Sequence, residues 1–179
     1  MNANFRKALQ PAWDRKTMNG VSVGEDLASK SLRNMYTAPE FVFLDHDVNF
    51  EGHTFAKGSS YGDCVQYFLS NVYGRECNVK DGLDGWYNKA KTQEYYNKAK
   101  SELGDNLGKV KLEIVYYSGS QTQIGQAQAT KLSIEDSFGK NDKGELNVEV
   151  VLIGTANLDD YYNAGYDAPS GEAGCYDLF

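Results

Sequence analysis

The hydrophobic period of this chain changes once, between Gly104 and Val110, and that change limits the folds open to it. Before it, apolar residues recur at intervals of three and four; after it they alternate with polar residues or run together as β-branched stretches. The first spacing lines up side chains along one stripe of a helix, the second on one face of a strand. A chain patterned this way is α+β, with a helical N-terminal half.

Phe5, Leu9 and Trp13 mark a first helix, with Pro11 as a break or a first turn. Asn19-Gly20 is a turn signal. Val23, Leu27, Leu32, Met35 and Tyr36 then mark a helix from near Ser22, where Ser22 and Glu25 match a capping box, to Pro39. Residues 41–62 read as a long surface loop loosened by Gly52, Gly58 and Gly62. Asp63 is a candidate N-cap for a helix carrying Val65, Phe68, Leu69 and Val72, with Gly74 as its stop. Leu83, Trp86, Tyr87, Ala90, Tyr95, Ala99 and Leu103 continue a helical stripe to Gly104. About four to five helices are expected over 1–104.

Val110, Leu112, Ile114 and Tyr116 predict a strand. The polar stretch 118–128, with four glutamines and two glycines, reads as a loop. The β-branched runs 131–135 and 146–153 flank the turn residues 139–144, a hairpin signal. The expectation is a β hairpin or small antiparallel sheet over 109–154, closing a single domain over 1–158. An extended C-terminal arm follows over 159–179, rich in Tyr, Asp, Gly and Ala.

At 179 residues, 41% hydrophobic and 13% aromatic, the chain is long and apolar enough to bury a core. A formal charge of -7 argues against nucleic acid as a partner, since phosphates demand a concentrated basic surface. No run approaches the roughly 18 apolar residues of a transmembrane helix. Residues 1–16 lack the apolar stretch of a secretory signal. Three cysteines without framework spacing favour reduced thiols and an intracellular setting.

Three groups of residues carry candidate chemistry. Cys64 sits where a helix is expected to begin, the setting of an activated thiol, with His46 and His53 as the available bases; this is a cysteine-dependent hydrolase reading, which the adjacent Asp63 opposes. Asp45, Asp47, Asn49 and Glu51 place oxygens at alternate positions, as a calcium loop does. Phe50 and Ala56 stand where an EF-hand requires Gly and Glu, so these are weak metal candidates. Tyr116, Tyr117, Gln121, Thr122, Gln123 and Gln126 join paired aromatics at a strand end to a run of amides, a composition suited to docking another molecule. The thirteen tyrosines suit partner contact and ordinary sheet faces alike.

Three pieces in order resemble the linker-polypeptide family of phycobilisomes. They are the stretch from Asn19-Gly20-Val21-Ser22-Val23 to Tyr36, the run Phe68-Leu69-Ser70-Asn71-Val72-Tyr73-Gly74-Arg75, and Gly104-Asp105-Asn106 followed by Tyr116-Tyr117-Ser118-Gly119 and Thr122-Gln123-Ile124-Gly125-Gln126. The resemblance spans about residues 17–130. It departs from the family in the chain's acidity and in Ser118, where the family has Arg. It implies a structural linker without catalysis, docked on phycobiliprotein subunits or other linkers at the stromal or cytoplasmic face of a thylakoid. Arg75 and Trp86 would join the docking residues. The chain would touch the bilins of its partners, with bilin attachment at Cys175, Cys64 or Cys77 imaginable. A second, local resemblance rests on Gly74-Arg75 and Gly82-Leu83-Asp84-Gly85-Trp86. It points to a helical module of bacterial surface-layer proteins, hence a self-assembling structural module with a role for calcium.

Overall fold

The computed structural model describes residues 2–107 and 109–165. Its first helix, α1 (Ala3–Ala12), starts at Asn2, whose side chain accepts from the amides of Asn4 and Phe5. It buries Phe5, Ala8 and Ala12, a spacing of three and four, and ends just past Pro11. Asp14 then caps α2 (Arg15–Val23) by accepting from the Thr17 amide. Because this cap starts the helix early, α2 runs through Asn19-Gly20, and the helix expected from Ser22 to Pro39 does not form. It stops at Gly24, whose φ of +82° is open to glycine, and only a 3-10 turn (Glu25–Leu27) follows.

The stretch expected as a long loop contains an antiparallel hairpin, β1 (Val48–Phe50) with β2 (His53–Phe55). Glu51 and Gly52 join the strands, both at positive φ, as a two-residue turn of that hand requires. Next comes α3 (Tyr61–Tyr67), and here Ser60 rather than Asp63 is the N-cap. Asp63 occupies the third helical position and accepts back from Ser60 in a capping box. Asn88 caps α4 (Lys89–Leu103), so Leu83, Trp86 and Tyr87 belong to the loop before it.

The fold is α+β with its helices first, as the change of period implies, and the sheet after residue 109 has its own topology. Strands β3 (Val110–Tyr117) and β4 (Val148–Thr155) pair in parallel, from Val110 opposite Val148 to Tyr117 opposite Thr155. Parallel strands need a crossover. It is supplied by α5 (Gln121–Phe138), which takes up both the glutamine-rich stretch read as a loop and the run 131–135 read as a strand. Ser120 caps it, and Ala127, Thr130, Ile134 and Phe138 recur at helical spacing on its buried side. Residues Leu158–Gly165, at the start of the stretch expected as an arm, form α6.

The main core lies between α1, α4, the end of α5 and the two parallel strands. Phe5, Tyr96 and Phe138 meet there, with Phe138 5.6 Å from Phe5 and 5.2 Å from Tyr96 between ring centres. Leu112, Val148 and Val150 close it from the sheet. A separate aromatic cluster of Phe50, Phe55, Tyr67 and Phe68 holds the hairpin on α3.

Candidate functional site

Both tryptophans of the chain meet beyond the end of α1. Trp13 follows the last residue of α1 with extended backbone, which swings its indole off the helix axis. Trp86 stands in the loop before α4, its indole N–H donating 2.9 Å to Asn34 Oδ1. The rings lie 5.7 Å apart and nearly perpendicular, at 76°. Asn34 holds this loop in place. Its Nδ2 donates to the carbonyls of Asp81 (2.7 Å), Asp84 (2.9 Å) and Asn78 (3.4 Å). Its Oδ1 also accepts from Arg15, which donates further to the carbonyls of Gly82 and Arg33 and lies 4.5 Å from the Trp86 ring centre. Burial lowers the Arg15 pKa.

Trp86 is a wall between two cavities. On the Arg15 side is a polar cleft of about 1040 Å³, with Asp14, Thr17, Glu25, Asp26 and Tyr87 around it. The Trp13 side holds an apolar groove of about 470 Å³. Leu9 and Gln10 line it from α1, Trp13 from just past its end, Met18 from α2, Ile114 to Tyr116 from β3, Ala127, Thr130 and Ile134 from α5, and Tyr161 from α6. Gln123 and Gln126 stand at its edge with their amides engaged. Gln123 Oε1 accepts the Tyr117 amide at 2.9 Å, and Gln126 Nε2 donates 2.8 Å to Ser22 Oγ. That second bond draws α2 onto α5, where Gly125 leaves room for Val21: a Cβ on Gly125 would stand 2.8 Å from Val21 Cγ1. The Trp13 Nε1–H is buried and has no acceptor among the described residues.

Four of the residues singled out from sequence therefore share the groove: Tyr116, Gln123, Gln126 and Trp86. Tyr117 is half-buried beside it, and Gln121 and Thr122 are exposed in the first turn of α5. Arg75 is exposed in the loop after the turn at Phe68–Val72, away from either cavity. Trp13 is readable in sequence only as part of a helix stripe. Asn34 carries no sequence signal, because its role depends on a loop far along the chain.

The remaining candidates are placed elsewhere. Cys64 and Cys77 are free and half-buried. Burial, and then the Asp63 charge, push the Cys64 thiol up, the opposite of what an activated thiolate needs. Cys175 lies outside the described residues. Asp47 accepts the Lys57 amide, Asn49 donates to Thr54, and Asp45 pairs with His46, while Glu51 serves the hairpin turn. Among the described residues no three Asp, Glu, His or Cys side chains are grouped to hold a metal ion. No helix among them is long and apolar enough to cross a membrane.

No protein-family model matches the chain. Its likeness to individual proteins is end to end. It is 32% identical to the oligopeptide-binding protein SarA of Streptococcus gordonii, over 99% of this chain and 25% of that protein. It is 30% identical to the oligopeptide-binding protein AliB of Streptococcus pneumoniae, over 100% of this chain, and to the oligopeptide-binding protein AmiA of that species, over 99%; each match covers 25% of the relative. These relatives are named for binding and not for catalysis.

The comparison overturns the phycobilisome linker reading, and with it the phycobiliprotein partners, the bilin contacts and attachment, and the thylakoid setting. The surface-layer module and the cysteine hydrolase fall as well, since none of these is what the relatives are. The physical reason is that the linker-like pieces fall where elements end or begin: the end of α2 and the 3-10 turn after it, the turn following α3, the stop of α4 at Gly104, the end of β3 and the first turns of α5. Helix ends use the same few residues in unrelated folds. What the chain does resemble along its whole length is about a quarter of the length of streptococcal oligopeptide-binding proteins.

Proposed function

We propose that this chain takes part in binding oligopeptides, as a portion of a larger peptide-binding protein, and that it holds its ligand without chemical change. The observation that carries the reading is the end-to-end identity of 30–32% with proteins named for that activity. The groove at Trp13 and Trp86 supports it. A peptide needs apolar surface for its side chains and hydrogen-bonding groups for its backbone. The groove lies along Ile114 to Tyr116 of β3, and β4 is the only strand paired with β3 among the described residues. Tyr116, Gln123, Gln126 and Trp86 are the ligand-facing residues in this reading. Tyr117, Gln121 and Thr122 flank them, and Arg75 stands apart.

Because both tryptophans line the groove, intrinsic fluorescence reports on it directly. Titration with a pool of short peptides is expected to give a saturable change in tryptophan emission. No change up to roughly millimolar peptide, the weak end of specific binding, overturns the reading.

A further inference from the structure

The groove is neutral in an acidic protein. The chain carries a net charge of -7, yet among the described residues no charged side chain lines the 470 Å³ space. Its walls are the rings of Trp13 and Trp86, the flexible thioether of Met18 and aliphatic side chains from β3 and α5. Of the three amides that line it, Gln123 is spent on the Tyr117 amide and Gln126 on Ser22, while Gln10 completes the lining. An entering ammonium or carboxylate would lose its water and meet no counter-charge, whereas an aromatic ring would meet two indoles at right angles and exchange water for contact.

One fully buried side-chain nitrogen of this wall is unpaired: the Trp13 indole N–H is shut off from solvent and has no acceptor among the described residues. A buried donor without a partner is costly. An oxygen arriving with a ligand would satisfy it once the wall side chains part, a rotamer adjustment that is ordinary on binding.

We propose that the groove is a selectivity pocket for one large uncharged side chain of a bound peptide, aromatic above all, and that a carbonyl or hydroxyl oxygen of the same ligand accepts the Trp13 N–H. This rests on the oligopeptide reading and adds to it the class of residue selected.

Isothermal titration calorimetry with equal-length peptides that differ only at a central position tests the inference. Phe, Tyr or Trp at that position is expected to bind at least about tenfold more tightly than Ala, from the apolar area buried. Asp and Lys are expected to bind more weakly still. Equal affinity across the set overturns the selectivity while leaving oligopeptide binding in place. Absence of binding by every member overturns the oligopeptide reading, and this inference with it. Trp13→Phe keeps a ring and removes the N–H. It is expected to melt at the same or a higher temperature than the parent and to bind the aromatic peptide several-fold more weakly, as the loss of one hydrogen bond implies. Unchanged affinity in a folded Trp13→Phe overturns the part assigned to the indole N–H.

Discussion

Single residues carry long connections in this molecule. Asn34 joins the Asn78, Asp81 and Asp84 carbonyls to Arg15 and Trp86. Removing a hub strands several polar groups at once, which is worse than losing one bond. Asn34→Ala is expected to lower stability by about 2 kcal/mol or more in urea titration, with the emission of Trp86 shifting to the red as its loop loosens.

Asp63 gives a residue-scale prediction for pH. The Lys80 ammonium, followed by the Ser60 hydroxyl and amide, holds its carboxyl down from an ordinary 3.8 to about 2. A depressed carboxylate stabilises the fold above its unfolded value, and that contribution fades as pH falls from 3.8 towards 2. Side-chain carbon NMR of Asp63 is expected to titrate near the lower value, and Asp63→Asn is expected to flatten the acid loss of stability in that window.

At the scale of elements, side chains stand in for missing backbone. Val150 of β4 faces away from β3, and both its main-chain groups are taken by α5. Glu135 Oε1 accepts the Val150 amide at 2.9 Å, and Lys131 Nζ donates to its carbonyl while pairing with Glu135 at 2.7 Å. The pair occupies the place of a further strand and shields an open edge. Glu135→Leu leaves the amide and the ammonium without their partner, at a cost of about 2–3 kcal/mol by chemical denaturation.

Loops dock with similar strictness. A Cβ on Gly82 would stand 2.3 Å from the backbone carbon of Leu32 and 2.5 Å from the Arg33 nitrogen. Backbone cannot step aside as a side-chain tip can. Gly82→Ala is therefore expected to cost about 1–3 kcal/mol, the range for an overpacked interior, and to weaken the Arg15 contacts to the Gly82 carbonyl, seen as a lower melting temperature.

Across the whole molecule, apolar burial is divided. The main core of Phe5, Tyr96, Phe138 and the two parallel strands does not include the aromatic cluster that holds β1, β2 and α3. Phe50 of that smaller cluster is itself exposed, as are Phe41, Val42 and Phe43 in the chain before it. Regions with less burial open first. Amide hydrogen exchange is expected to be faster in β1, β2 and α3 than in α1, α4 and α5, and equal protection would contradict this division.

The sequence alone determined the order of classes, helices and then a small sheet, because the period of apolar residues is a local property set by helix and strand geometry. Tyr116, Gln123 and Gln126 stood out by side-chain chemistry alone, whereas Trp86 was named through a resemblance that does not hold. The sequence did not determine that 121–138 is one helix, since glutamines suit loops and helices alike and the deciding contacts come from the parallel strands on either side. Nor did it reveal the caps at Asp14 and Ser60, which displaced the helix starts expected at Ser22 and Asp63. Only tertiary structure brought Trp13 to Trp86 and gave Asn34 its partners. Those contacts join residues far apart along the chain, and no local pattern encodes a distance between them.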